Sequence, residues 1–329
     1  MENGGGANSK RESMQSIPID EVLSKSHLPV DAFVCLASGK FLMVAKAGAA
    51  VETLGKFKER GVDRLFVRLE DYLSLVQKSV EEAASSLGVA DDSRKFASVR
   101  DAVGSVYREI GDIGFDEEVF GHVKLVNHST LSLMAKTPKM SELILKLDRL
   151  PGDGVKHAMM VSLTAAMLGV GHGWVKPGTI EKLALGGLLH DVGQARLPQN
   201  ILDKPFHALS SDEQVILKGH SDVGAQLLAQ AKSTPEDVIL MVQEHHEYAD
   251  GSGFPRGLKN LQISPLSKVV ILANSFVDRM EKYSQEPASE RAHLALERIT
   301  KHEAHLFDRE ALRALLRIFP GFEKGKIAG

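Results

Sequence analysis

Adjacent His190 and Asp191 close the apolar run LALGGLLH and are followed by Gly193. Burying such a pair is costly unless something compensates it, and further imidazoles lie on comparable apolar stripes. His157 shares a helical face with Val161, Thr164 and Leu168. His220 falls on a stripe with Ile216, Val223 and Leu227, and His245, beside His246, on one with Val238, Met241 and Val242. Taken singly, each is more often an ordinary core histidine satisfied by one carbonyl. Five imidazoles and a carboxylate converging in one helical core would each need a partner, and a cation satisfies them together. Imidazole and carboxylate donors without thiolate suit iron, manganese or zinc. A shared carboxylate suits a pair of cations about 3.5–4 Å apart, which can activate water and polarise a phosphate in line with it. Phosphodiester hydrolysis is the natural reaction of such a site. His27, His122, His128, His172, His207, His293, His302 and His305 lack such company and read as surface or ordinary core residues.

The elements that must position these groups are helices. SSDEQVILKGHSDVGAQLL opens with a capping box, Ser210 and Glu213, and runs through His220 on one amphipathic stripe. TPEDVILMVQEHH takes Thr234 as N-cap and Pro235 as first helical residue. Beyond Pro151 nearly every segment reads as helix, punctuated by GHGWVKPG and DGSGFPRG. Upstream, VDAFVCLASGKFLMVAK reads as a hairpin, AAVETLGKFKERG as a helix with a glycine stop, and DRLFVRL as a third strand. Residues from about 70 to 147 are helical, with a break at Asp91-Asp92-Ser93, and residues 1–16, rich in Gly, Ser and Asn, form a disordered tail. The expected organisation is therefore mainly α: a small N-terminal α/β domain leading into helices over 17–147, a linker near 140–152, and a helical bundle over 148–329 that holds a metal cluster.

Composition narrows the function classes. The 329 residues, 43% hydrophobic and 25% charged, can bury a substantial core and are long enough for two domains. A net charge of −3 with scattered Lys and Arg leaves no electrostatic footprint for duplex nucleic acid. MENGGGANSKRESMQ has no apolar signal core, and KVVILANSFV is too short and interrupted to cross a bilayer. The single cysteine, Cys35, supports neither a disulfide framework nor a thiolate metal site. A cytoplasmic setting without membrane contact is expected.

H-D-x-G at 190–193, His157 upstream, His220 downstream, the pair His245-His246, and then Glu247 and DGSGFPRGL at 250–258 resemble the HD-GYP family. That family is the cyclic-di-GMP phosphodiesterase branch of the HD metal-dependent phosphohydrolases, and the resemblance covers about residues 150–320. It implies two divalent metal ions, iron first with manganese or zinc as alternatives, held by His157, His190, Asp191, His220, His245 and His246, with Asp191 bridging. Asn274, at the position of a ligating aspartate, and Asp153, one turn before His157, join the candidate ligands. In members with a third metal the counterpart of Asp153 is a longer Glu, so two ions are expected. Catalytic roles fall to Asp191, Gln194 and Lys268. Gln194, Gly253, Phe254, Pro255 and Lys268 would contact the substrate, cyclic-di-GMP or a related cyclic dinucleotide. The N-terminal module resembles the accessory domains that precede this unit in some members, and would be the place for a protein partner.

Departures from the family bear on turnover. Gln194 stands where lysine is usual; it can donate to a phosphate oxygen but cannot neutralise charge building during attack. Phe254 replaces the tyrosine of GYP, Lys268 replaces an arginine, and an Arg-Pro-Tyr-Arg stretch is not recognisable around Arg279 to Tyr283. Asn274 lies with Val270, Ala273 and Val277 on an apolar helix, where a metal could accept its carbonyl. Three readings follow: a working phosphodiesterase of reduced rate, a metal-loaded but catalytically degenerate sensor or docking module, and a hydrolase of another phosphoester. The first is preferred.

Overall fold

The computed structural model describes residues 14–319 apart from 24–25, 89–90, 136, 138, 152–153 and 175. Asp153, most of the expected N-terminal tail and the end of the chain therefore lie outside the described residues. Contacts divide the chain between Lys78 and Ser79 into two compact units.

The first unit builds its sheet from β1 (Met14–Pro18), followed by the short α1 (Ile19–Leu23), then β2 (Ala32–Cys35) and β3 (Phe41–Ala45). After α2 (Glu52–Lys58) comes β4 (Arg64–Arg68), which runs into α3 (Leu69–Ser86). The strand order is β1-β4-β2-β3 and every pairing is antiparallel. The expected hairpin is β2–β3, turned at Gly39, whose φ of 74° is open to glycine at no steric cost. β1 was not expected: Met14 to Ser16, assigned from composition to the tail, pair with Arg68 to Phe66 instead. Its alternation is too brief to read alone, and pairing with β4 supplies what the local pattern lacks. Ile17, Ile19, Leu54, Leu65 and Val67 make its core.

In the second unit α4 (Asp92–Asp112) begins at Asp91, whose carboxylate accepts from Ser93 and Arg94 N–H, placing the expected break. Then come α5 (Glu117–Ala135), α6 (Met140–Asp148), α7 (Gly154–His172), α8 (Pro177–Leu189), α9 (Gln199–Leu202), α10 (Ser211–Lys218) and α11 (His220–Leu228). The bundle ends with α12 (Glu236–Glu244), α13 (Pro265–Lys282), α14 (Ala288–His302) and α15 (Arg309–Ile318). The segment expected as a linker is mostly α6, with Met140, Leu143, Ile144 and Leu147 buried at helical spacing. α7 is apolar nearly all round because it is the central helix, packed on α8, α13 and α15. α8 comes so close to it that a Cβ at Gly187 would sit 2.8 Å from the Ser162 Cα.

Two helical details differ from the sequence reading. The Ser210–Glu213 capping box is present, but the helix breaks at Gly219 into α10 and α11. The stripe therefore does not continue through the break: His220 and Leu227 are buried while Ile216 is 44% exposed. Pro235, not Thr234, occupies the N-cap of α12. The Thr234 hydroxyl makes no hydrogen bond, so nothing anchors the helix start one residue earlier.

Candidate metal centre

Four elements deliver the histidines to one point. His157 sits in the first turn of α7, His190 ends α8, His220 opens α11, and His245 ends α12 with His246 next to it. Asp191 follows His190 and precedes a 3-10 turn, Val192–Arg196, which packs on α11. His190, His220 and His245 are buried, while the Asp191 side chain keeps 24% exposure. Tyr107 of α4 donates its hydroxyl to the Leu188 carbonyl, bracing the end of α8 from outside the histidine set.

The hydrogen bonds settle which ring nitrogens are available. His190 Nδ1 lies 2.8 Å from the Gly187 carbonyl, His220 Nδ1 2.6 Å from Leu217, and His245 Nδ1 2.6 Å from Val242. A carbonyl only accepts, so each Nδ1 carries the proton and each neutral ring presents Nε2 as a bare lone pair. His157 is oriented likewise by the Glu281 carboxylate, 3.0 Å from its Nδ1. The Nε2 atoms then face one another, His157 to His190 at 3.2 Å and His220 to His245 at 3.1 Å. Between His220 and His245 the opposed lone pairs repel, and a cation between them removes the conflict; at His157 a cation takes the place of the Nε2 proton. The donor set thus fits a metal, with second partners of the kind that orient metal-bound histidines.

Asp191 joins two groups of donors. One oxygen is 3.1 Å from His220 Nε2 and 3.7 Å from His245 Nε2, and the other is 3.3 Å from His190 Nε2. Asp191, His220, His245 and His246 can surround one ion, and His157, His190 and Asp191 another. Burial pushes the Asp191 carboxyl up, but His190 and its neighbouring imidazoles hold it well below the usual carboxylate range. Burial pushes His245 down to about 4, keeping that ring a neutral donor. His157 is pulled down by burial but carried up to about 9 by Glu281, so an ion taken up there displaces a proton.

Asn274, buried midway along α13, places Oδ1 3.1 Å from His157 Nε2, among the donors. Gln194 lines the cavity of about 580 Å³ that opens over the cluster, together with Asp191, His246 and Asn274. Phe254 stacks on His246 with ring centres 4.5 Å apart, and its N–H donates to the His246 carbonyl. Gly253 is required by closeness, since a Cβ there would lie 2.4 Å from that carbonyl oxygen. Past Pro255 the loop is tied down by two buried carboxylates. Glu247 accepts from Arg256 and Leu258 N–H, and Glu244 from the Arg256 guanidinium and Ser264 N–H. Lys268 does not join this group: it lies 3.6 Å from Asp308 and is not among the residues lining the cavity. Its place in the first turn of α13, well before Asn274, turns it to α15 instead.

Asp278 and Glu281, not expected from the sequence, form with His157 a third group of potential donors. They follow Asn274 by four and seven residues on α13, so helical spacing from that residue would have found them. Burial pushes the Asp278 carboxyl up. Asp148, Lys156 and Arg291, also on the cavity wall, come from α6, α7 and α14, and only the tertiary fold unites them.

A family model for the HD domain matches residues 139–311. A cyclic di-GMP phosphodiesterase of Pseudomonas aeruginosa is 29% identical over 180 residues, covering 53% of this chain and 42% of that protein. One of Thermotoga maritima is 31% identical over 146 residues, 42% of this chain and 38% of that protein. A 3'3'-cGAMP-specific phosphodiesterase of Vibrio cholerae is 35% identical over 96 residues, 29% of this chain and 22% of that protein. The chain thus spans less than half the length of these curated relatives. An HDG"Y"P protein from Bdellovibrio bacteriovorus has the same fold, with a TM-score of 0.67 at 20% identity over 93% of this chain and 98% of its own. Among the described residues no helix is long and apolar enough to cross a membrane. With the motif order of 157 to 258 assembled around one shared carboxylate and the HD model matching over more than half its length, the chain belongs to the HD domain family, as a member of the HD-GYP type.

Proposed function

We propose that this protein is a metal-dependent phosphodiesterase acting on cyclic-di-GMP or a related cyclic dinucleotide. The observation that carries this reading is Asp191, whose two oxygens face different histidine groups. Two divalent ions would be held by His157, His190 and Asn274 on one side and His220, His245 and His246 on the other, with Asp191 between. Iron heads the candidates, with manganese and zinc behind it, since the donor set is imidazole and oxygen throughout. When bound, such ions supply Lewis acidity and an activated water for attack on phosphorus.

The chain's own residues do the rest. Gln194 can donate an amide N–H to a phosphate oxygen. Gly253, Phe254 and Pro255 shape the wall beside His246, where the Phe254 ring offers a face to a base but no hydroxyl. Asp191 remains the central catalytic residue and Gln194 its neutral helper; Lys268, 3.6 Å from Asp308, would have to turn from that carboxylate to reach the substrate. A related substrate, 3'3'-cGAMP, is named for similar proteins and belongs to the same chemical class. The reading also carries over the expected cytoplasmic setting and a protein partner for the N-terminal unit.

Anaerobic purification followed by elemental analysis and a cyclic-di-GMP hydrolysis assay tests the proposal. Turnover that disappears on chelation and returns with metal supports it. A fully metal-loaded chain that cleaves neither cyclic-di-GMP nor 3'3'-cGAMP would replace it with the sensor or docking reading.

A further inference from the structure

The metal ligands occupy only part of the cavity wall. A cyclic dinucleotide carries two phosphodiesters, and while one is attacked at the ligand cluster the other must rest elsewhere. Lys156 and Arg291 are the only Lys or Arg side chains among the described residues lining this cavity. Both are directed by one carboxylate, Asp148 of α6. Lys156 Nζ lies 3.2 Å from Asp148 Oδ1 and donates also to the Asp148 carbonyl, while the Arg291 guanidinium donates to the same Oδ1. Each side chain is only 13% exposed, so neither is a loosely solvated surface cation.

Arg291 Nε is buried and makes no hydrogen bond. A buried N–H without an acceptor is costly; apart from that atom, the guanidinium has more N–H donors than the one it gives to Asp148, and a phosphate oxygen is an acceptor that their geometry suits well. Of the two side chains expected to assist at the reacting phosphate, Gln194 is neutral and Lys268 lies 3.6 Å from Asp308.

We infer that Lys156 and Arg291, aimed by Asp148, form a second phosphate subsite that binds the non-reacting phosphodiester of a cyclic dinucleotide. The inference rests on the phosphodiesterase reading and adds a specificity element to it: a ligand with two phosphates is held at two places, and one with a single phosphate only at the cluster. Asp148 is a positioning residue, since it touches the two cations and not the ligand.

The test titrates the metal-loaded full chain with cyclic-di-GMP and, in parallel, with inorganic phosphate. In Arg291→Ala and Lys156→Ala the Kd for cyclic-di-GMP should rise roughly tenfold to a hundredfold, the loss of a charge-assisted hydrogen bond. The Kd for phosphate should change much less, and Arg291→Lys should recover part of the loss. Elemental analysis and a cooperative melt establish that each variant keeps its metal; if an alanine variant does not, Arg291→Gln and Lys156→Met, which keep the volume, take its place. Equal weakening for both probes, or unchanged cyclic-di-GMP affinity with the metal retained, overturns the subsite alone. Phosphate binding to the unaltered chain without any cyclic-di-GMP binding overturns the dinucleotide reading, and the subsite falls with it.

Discussion

Gly193→Ala tests how closely the centre is built. Gly193 is not at positive φ, so the family glycine is needed here for space, not for backbone freedom. A Cβ at that position would lie 1.9 Å from the His220 carbonyl oxygen and 2.6 Å from Gly224 N. Real Cβ atoms essentially never approach below 3.0 Å, so the turn carrying Asp191 and the start of α11 must separate by about 1.1 Å (3.0 less 1.9) or more. Both contacts are backbone, which cannot swing aside. Metal–ligand distances tolerate only about 0.2 Å, so a shift of this size between Asp191 and His220, now 3.1 Å apart, should weaken the ion they share. Overpacking alone costs about 1–3 kcal/mol, or roughly 2–12 °C in Tm for a unit of this size, and lost metal adds to it. Elemental analysis should show at least half the bound metal gone, and differential scanning calorimetry a lower Tm. Gly121→Ala is the control: its Cβ meets nothing within 4 Å inside α5, so metal should be unchanged and stability up by about 0.5–1 kcal/mol. Full metal content and an unshifted Tm in Gly193→Ala would refute the close-approach argument.

Asp191→Ala should abolish metal binding and not merely slow turnover, because both donor groups lose their common member; elemental analysis showing undiminished metal would count against its bridging place. Gln194→Lys adds a cation beside the reacting phosphate and should raise kcat for cyclic-di-GMP roughly tenfold to a hundredfold, with less effect on KM, read from steady-state kinetics; an unchanged kcat removes the charge argument. His122, 2.9 Å from buried Glu109, is raised in pKa by that hydrogen bond. The pair's stabilisation is complete below the ordinary histidine value of 6.5 and is lost as pH climbs through the raised folded value. Tm curves of the unaltered chain and Glu109→Gln should therefore converge above that value and separate below it, and parallel curves would show the pair to be inert.

Much of the centre was legible because helical spacing converts sequence position into direction. His157, His190 and His245 stand on apolar stretches of helix and turn toward one point, and His220 joins them although its stripe breaks at Gly219. Elements without periodicity were harder. β1 is a strand because β4 is beside it, a long-range fact that five residues cannot carry. Lys268 and Gln194 looked alike as a phosphate cation and a substitute for one, yet Lys268 lies 3.6 Å from Asp308 at the N-cap of α15 while Gln194 lines the cavity. The Lys156–Asp148–Arg291 group joins three helices, and Arg291 stands 143 positions from the carboxylate it meets. Residue type and spacing give no signal for such a meeting. The opposed Nε2 lone pairs were equally out of reach, since they depend on which carbonyls receive Nδ1–H.

Charge on the cavity wall links metal uptake to substrate choice. Four lining carboxylates, Asp148, Asp191, Asp278 and Glu281, stand against Lys156, Arg291 and a protonated His157, for a formal −1. Without metal such a wall would repel a doubly charged cyclic dinucleotide. A divalent cation that displaces the His157 proton would bring it to neutrality, and a second, as proposed above, would make it attractive. Had Asn274 been an aspartate, the wall would start one charge lower and the loaded site would hold phosphate less firmly. On the proposed reading the amide would trade nucleophilic strength at the cluster for grip on the anion. The subsite inferred at Lys156 and Arg291 would add to the same side, and metal would have to bind before the nucleotide, whose charge has the same sign as the unloaded wall.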